Sequence, residues 1–285
     1  MSKNTTLKKT ILKKTYPGPK EGTVIDFLKS ELPLSASVIK EAMIQGSCWL
    51  KKGNSKKLDR VRRAKAVIRQ GDHLEFYFDP KLFERQRAEF EEKPLLLKRE
   101  RDWSAWYKPA GLLTQGTKYG DSWSLMRFIE KESKGDVLLI HRLDRETDGV
   151  VVVAHNKKAA KLLSTKWQGT LVQKVYLAWV SGIVEEEKGR LDYELEGKKA
   201  ITFFRKLRTH EDMTLLELRL GTGRTHQIRK HLDMYGHPVM GDSAYGSGNK
   251  NKSGLKLRAE RLEFDWHGDL KIISVPEEKG ELLPQ

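Results

Sequence analysis

The first sustained apolar rhythm in the chain begins at Thr23. Val24, Phe27, Leu28 and Leu32 recur at the spacing that places them on one helical face, and Pro33 stops the helix. Ser35 is positioned to cap a second helix whose apolar side carries Val38, Ile39, Ala42 and Met43, with Gly46 as its exit. Cys48 to Lys51 and Leu74 to Phe78 read as short strands around the turn pairs Gly53-Asn54 and Gly71-Asp72. The unit spans residues 23–79. Before it, residues 1–22 carry Lys3, Lys8, Lys9, Lys13, Lys14 and Lys20 and the cluster Pro17-Gly18-Pro19 without an apolar period, which predicts a basic flexible arm. Behind it, residues 80–101 mix Glu with Lys and Arg around sparse apolar positions and Pro94, which predicts a charged linker and a domain boundary.

The remaining segment, 102–285, holds the longer apolar runs. Val137 to Ile140 and Val150 to Ala154 suit buried strands, and between them lies the polar stretch His141-Arg142-Leu143-Asp144-Arg145-Glu146-Thr147-Asp148-Gly149. A polar loop held by two rigid strands is where catalytic side chains are usually placed, although an isolated Arg-x-Asp is more often a salt-bridged turn. Leu216, Leu218 and Leu220 alternate as a strand, Gly221-Thr222-Gly223 turns, and Thr225 is placed to cap a helix whose face is Ile228, Leu232 and Tyr235 before Gly236. Residues 246–254 are rich in Gly, Ser, Asn and Lys and predict a flexible surface loop; no internal repeat is visible.

Charge narrows the partners. Lys plus Arg number 54 against 39 Asp plus Glu, a formal net charge of +15 over 285 residues, which favours a polyanion. Nucleic acid, RNA or DNA, is the first expectation and an anionic membrane surface the weaker one, since the longest aliphatic stretch, Val150 to Ala154, is far short of the roughly 20 residues a spanning helix needs. The N-terminal lysines are followed by no apolar core of a secretory signal, and a single cysteine, Cys48, excludes an internal disulfide and a cysteine-based zinc site. A cytoplasmic protein is expected. Gly221-Thr222-Gly223 lacks the third glycine of a dinucleotide fingerprint because His stands at 226, and His226, His231 and His237 are spaced off any common helical face. Neither a metal nor a cofactor is expected.

The order helix, helix, Gly exit, strand, strand over about residues 20–79 resembles the S4 RNA-binding domain, with Lys52-Gly53-Asn54 departing from that family's Val-Asn-Gly turn. The resemblance implies an S4-like module whose basic side chains, among them Lys40, Lys51, Arg62 and Arg63, contact phosphates without reading sequence. In a generic α+β domain the same cations would form a solvated face.

Four ordered segments of the second half carry a further resemblance. They are Lys108-Pro109-Ala110-Gly111; His141-Arg142-Leu143-Asp144 with Thr147 and Gly149; Lys174-Val175-Tyr176-Leu177; and Gly223-Arg224-Thr225-His226-Gln227-Ile228-Arg229 with Gly241-Asp242. Together they resemble the RluA-type pseudouridine synthases. What the resemblance implies is an α+β chain: the S4-like module followed by a catalytic domain with a large, mainly antiparallel sheet flanked by helices. It further implies Asp144 as the catalytic residue, Arg229 as its ionic partner, Tyr176 against the uracil, and Arg142 filling the space left by a flipped base. His141 would contact RNA, and Arg224 with Thr225 would hold a backbone phosphate at a helix N-terminus. Two positions depart from the family pattern: Asp148 stands where Ser is common, and Arg258 where His is common.

The chemistry fits these residue types. Breaking the N1–C1′ bond of uridine leaves an electron-poor sugar that a carboxylate meets as nucleophile, as ion-pair partner or as a base, and uracil departs as a stabilised anion needing no strong acid. The expectation is an RNA pseudouridine synthase acting without cofactor as a monomer, with no obligatory protein partner, on ribosomal RNA ahead of tRNA. The alternative is a non-catalytic RNA- or ribosome-binding protein built on the S4-like module.

Overall fold

A computed structural model of the chain describes residues 8–18, 20–85, 92–133, 135–169, 171–246 and 254–283. Its contacts divide it into two compact units. The first takes the described residues up to 85 together with Gln115–Phe128; the second takes 92–114 and the chain from Ile129 onward.

The first unit contains strands β1 (Thr10–Thr15) and β2 (Glu21–Thr23), helices α1 (Val24–Glu31) and α2 (Ala36–Gln45), and strands β3 (Cys48–Lys51), β4 (Asp59–Arg60), β5 (Val67–Arg69) and β6 (His73–Phe78). The short helix α3 (Pro80–Arg85) follows. Ser35 caps α2, its hydroxyl accepting the Val38 N–H at 3.3 Å, and Gly46 ends the helix in the left-handed region at φ 95°. The helical faces read from the sequence, Val24, Phe27, Leu28, Ile39, Ala42 and Met43, form one core with Cys48, Ile68, Leu74 and Phe76.

Two segments expected to be irregular contain regular elements. Within residues 1–22, Thr10–Thr15 is not an arm but strand β1, at the edge of the sheet β1-β6-β3-β4 and antiparallel to β6. The reason lies in Tyr16, whose ring is buried edge-on against Phe27 at 5.1 Å and whose backbone exchanges hydrogen bonds with Gly71 and Asp72. Residues 1–7 and Pro19 lie outside the described residues. Likewise the expected linker 80–101 contributes α3 at one end and strand β7 (Leu95–Arg99) at the other, where β7 gains hydrogen bonds by joining the edge of the large sheet. Residues 86–91 are outside the described residues, as are 247–253 of the expected surface loop.

In the second unit β8 (Trp103–Lys108) follows β7; after α4 (Leu125–Glu132), whose first half belongs to the first unit, come β9 (Leu138–Leu139), β10 (Asp148–Ala154) and α5 (Lys157–Gln168). The chain continues through β11 (Val172–Ser181), β12 (Lys188–Leu191), β13 (Thr202–His210), β14 (Met213–Leu220), α6 (Gln227–Met234), β15 (Leu257–Trp266) and β16 (Asp269–Ser274). Among the described residues these strands make a ten-stranded sheet ordered β12-β13-β14-β11-β15-β10-β8-β7, with β16 on β15 and β9 on β10. Every pairing is antiparallel except β10 with β15. The Val150–Ala154 run is buried throughout, as an inner strand covered on both faces requires. One core packs α5 on the sheet through Leu163, Trp167, Val152 and Phe264; another packs α6 on it through Ile228, Leu232, Leu216 and Leu218. Gly149 makes the parallel pairing possible: at φ 123° a Cβ would stand 2.2 Å from the Ala259 carbonyl oxygen. The expected strand at Val137–Ile140 is cut to Leu138–Leu139.

The role of Tyr16 is testable. Tyr16→Ala removes a buried ring from the first unit and is expected to cost about 3–5 kcal/mol of that unit's stability in urea unfolding. An unchanged transition would make residues 10–16 the dispensable arm that their lysines imitate.

Candidate active site

Asp144 lies in the irregular segment between β9 and β10, and its neighbours in sequence are pinned on both sides. Leu143 is buried, and the Thr114 hydroxyl accepts its N–H at 3.0 Å and donates to its carbonyl at 2.8 Å. Beyond Asp144, the Arg145 carbonyl accepts from the Gly111 N–H at 2.8 Å and from Lys108 Nζ at 3.2 Å. Lys108, fully buried at the end of β8, also donates to the carbonyls of Pro109 at 3.0 Å and Leu112 at 2.8 Å. Burial pulls its ammonium down to about 7 against the attraction of Asp148, Glu146 and Asp144. The Lys-Pro-x-Gly turn is thus a bracket for the loop carrying Asp144.

The carboxylate itself stays accessible, its side chain 23% exposed. Arg229 Nη1 approaches Oδ2 at 3.4 Å and His226 Nε2 faces Oδ1 at 3.6 Å. Arg229 is held by a different acid: Nε and Nη2 donate to the two oxygens of Asp242 at 2.6 and 2.7 Å. Burial works against the Arg229 cation, but the hydrogen bonds and charge of Asp242, joined by Asp144, raise its pKa overall. Burial equally opposes charge on Asp242, and the Arg229 guanidinium with the N–H groups of Ala244 and Tyr245 holds it below the usual carboxylate range.

Asp144 and Tyr176 line a cavity of about 810 Å³ with His141, Arg142, Lys174, Arg224 and Thr225, and both also line a smaller adjoining recess with Arg229. Burial, then the charge of Asp144, raises the Tyr176 phenol well above its ordinary value, so Tyr176 stays neutral. The cavity therefore combines one carboxylate, a neutral phenol and a basic lining.

The remaining expected site residues fall differently. Arg142 and Arg224 are exposed at the cavity, as a phosphate contact needs. His141 is built into the wall: its Nε2 accepts the Val152 N–H at 3.0 Å and its ring stacks on Trp167 at 5.0 Å. Burial, with the nearby Lys174 charge, pushes it down to about 3, so it is a neutral structural group and not a cation for RNA. Thr225 is exposed and does not cap α6; the N-cap is His226, in the left-handed region at φ 53°, without a side-chain cap. Gln227 takes over this end, its Oε1 accepting from the Arg224 N–H at 3.0 Å and the Thr222 hydroxyl at 2.7 Å.

In the first unit, Lys40 and Arg63 are exposed and Lys51 is half-buried on β3. Arg62 is occupied: it donates to the Ile44 carbonyl at 2.9 Å and to Asp121 at 2.5 Å, beside Arg60 on the same carboxylate. That removes Arg62 from the expected phosphate contacts. Among the described residues, no group of three His, Cys, Asp or Glu side chains is placed to hold a metal ion.

Sequence reasoning gave no role to Asp242, His226 or Tyr245. Gly241-Asp242 stood in the motif, but nothing in its spacing showed that it faces Arg229 rather than solvent. The two departures from the family pattern are one feature: Arg258 Nε donates to Asp148 Oδ2 at 2.8 Å, where β10 and β15 place them in register, and the Tyr107 hydroxyl donates to the same oxygen at 2.9 Å. Asp148 is consumed by this pair and is no second acid for the site.

The chain is similar to known proteins. A family model described as RNA pseudouridylate synthase matches residues 102–234. A tRNA pseudouridine synthase C of Haemophilus ducreyi is 32% identical over 216 residues, covering 63% of this chain and 88% of its own. A dual-specificity RNA pseudouridine synthase RluA of Vibrio parahaemolyticus is 33% identical over 177 residues, 55% of this chain and 69% of its own. For four other curated relatives the chain spans only between 44% and 59% of their length. The solved structure of human RNA pseudouridylate synthase domain containing 1 has a TM-score of 0.57 at 24% identity, over 66% of this chain and 85% of that one, and so shares the fold.

Because Arg258 and Asp148 are 9% and 11% exposed, removing one partner strands a buried charge. Arg258→Ala is expected to destabilise the second unit by about 3–5 kcal/mol, and Asp148→Ser in that background to recover part of the loss. Strictly additive losses in chemical unfolding would show that the two side chains are independent.

Proposed function

This chain belongs to the RNA pseudouridine synthase family, and on that premise we propose that it isomerises uridine to pseudouridine in structured RNA, with Asp144 as the catalytic carboxylate. The observation that carries the reading is the placement of Asp144. It is an accessible carboxylate on a loop pinned at either side, faced by a guanidinium at 3.4 Å inside a cavity with a basic lining.

The reaction breaks the N1–C1′ bond, turns the uracil and joins C5 to C1′; the C5 proton is lost, N1 regains one, and the isomerisation is redox-neutral because C5 is formally oxidised as C1′ is reduced. Asp144 supplies the negative charge that meets the electron-poor sugar. Arg229 sets its positive charge 3.4 Å from that carboxylate while Asp242 holds the guanidinium from swinging onto it. Tyr176, a neutral phenol in the recess, stacks on the base and assists the final loss of the C5 proton. A uridine inside folded RNA reaches the site only when flipped out, at a cost of a few kcal/mol; Arg142, exposed at the cavity, fills the vacated stack. Arg224 and Lys174 meet the flanking phosphates. No step needs a cofactor.

The first unit acts as an S4-like RNA-binding domain. Exposed Lys40 and Arg63, with Lys51, supply contacts that set affinity without reading sequence. The resemblance of the first unit to S4 domains favours ribosomal RNA over tRNA as substrate, and the enzyme works as a monomer in the cytoplasm with no obligatory protein partner. Among the described residues no helix is long and apolar enough to cross a membrane.

Asp144→Asn is expected to abolish pseudouridine formation while RNA affinity and the unfolding transition stay near wild type, because affinity rests on many cations and the chemistry on one carboxylate. The measurement is chemical mapping of pseudouridine in unmodified ribosomal RNA and tRNA transcripts, alongside filter binding. Near-parental turnover by the variant would reduce the loop to a salt-bridged turn.

A further inference from the structure

His226 and Tyr245 form a second support for Asp144, beside the one made by Arg229 and Asp242. This inference rests on the reading of Asp144 as the carboxylate that meets the substrate. His226 holds a left-handed backbone at φ 53°, and it gives the helix it begins no side-chain cap. Such a conformation is uncommon for a residue with a side chain and persists where surrounding contacts fix it. Its ring is used elsewhere. Nδ1 lies 3.0 Å from the Tyr245 hydroxyl and Nε2 lies 3.6 Å from Asp144 Oδ1, while Arg229 takes Oδ2. The ring lines both the cavity and the recess.

Tyr245 is itself fixed from two sides. Its backbone N–H donates to Asp242 Oδ1 at 3.0 Å, and its ring lies under the Arg229 guanidinium at 5.1 Å from the centroid. The contacts close a circuit running from Asp242 through Arg229, Asp144, His226 and Tyr245 back to Asp242.

We propose that His226 is a positioning residue for Asp144, its ring held by the Tyr245 hydroxyl so that Nε2 carries a proton facing Oδ1. The alternative tautomer would set the Nε2 lone pair against a carboxylate oxygen with no proton between them. The phenol donating to Nδ1 prevents this by leaving the neutral ring's proton on Nε2. At 3.6 Å the Nε2–H is not yet a hydrogen bond; roughly 0.5 Å of approach makes it one. Each oxygen of Asp144 thus faces one donor, which fixes the plane of the carboxylate before the sugar arrives. A loss of this kind slows the chemical step and leaves RNA binding alone, since a misplacement of about 1 Å costs up to roughly 100-fold in rate.

The test compares single-turnover pseudouridine formation and RNA affinity for the full chain and four variants: His226→Ala, His226→Gln, Tyr245→Phe, and His226→Gln with Tyr245→Phe. His226→Ala is expected to lower the rate about 10- to 100-fold at unchanged affinity. His226→Gln, whose amide restores a donor toward Oδ1, is expected to recover most of it. Tyr245→Phe is expected to slow the wild type but add nothing in the His226→Gln background, because the phenol acts through the imidazole. Long-range proton–nitrogen NMR of the unliganded chain is expected to show a protonated Nε2 on His226 that Tyr245→Phe disturbs. A wild-type rate for His226→Ala, independent losses in the double variant, or a neutral ring protonated on Nδ1 would each overturn the proposal. If the wild-type chain makes no pseudouridine, the proposed function has failed, and the NMR result still decides the tautomer.

Discussion

The buried pair of Arg229 and Asp242 is the interaction on which the site depends. Asp242 has a fully buried side chain and accepts four hydrogen bonds, two from the Arg229 guanidinium and one each from the N–H groups of Ala244 and Tyr245. A buried carboxylate is tolerated only with such a complete set of donors. Satisfying it ties the start of α6 to the turn at 242–245, and Arg229 then reaches the loop at Asp144 with the one Nη that Asp242 leaves over. The guanidinium therefore stabilises the carboxylate electrostatically without clasping it, which leaves Asp144 open to a substrate.

Much of this was legible in the chain because it is local. A helix face, a Ser cap and a Gly exit are set within a few residues of one another, and α2 begins and ends where Ser35 and Gly46 place it. β1 and β7, which fall in the expected arm and linker, are both sheet edges. Edge strands bury little on one side and commonly carry lysines that discourage further pairing; Lys13 and Lys14 in β1, and Lys98 and Arg99 in β7, gave the look of solvated linker to segments with a defined register. Asp144, Tyr176 and Arg229 were readable from motif strings. Their supports were not, since the bond between Arg229 and Asp242 depends on how a helix and a turn meet in space.

The pair Asp148 and Arg258 makes the same point from the opposite direction. Taken singly, each residue departs from the family pattern. Opposed on neighbouring parallel strands, they form a neutralised buried pair that also anchors the chain near its end, through the Arg258 bond to the Gly280 carbonyl at 2.8 Å. A charge introduced into a packed sheet has to be matched nearby, and here the match is 110 positions away in sequence.

The central claim is that Asp242 sets the geometry between Arg229 and Asp144. The most direct measurement is the single-turnover rate of pseudouridine formation by Asp242→Asn, with RNA affinity measured on the same preparation. Freed from its carboxylate partner, Arg229 turns onto Asp144, and the account predicts a fall of about 100-fold in rate at unchanged affinity. A folded Asp242→Asn protein working at the wild-type rate would contradict it.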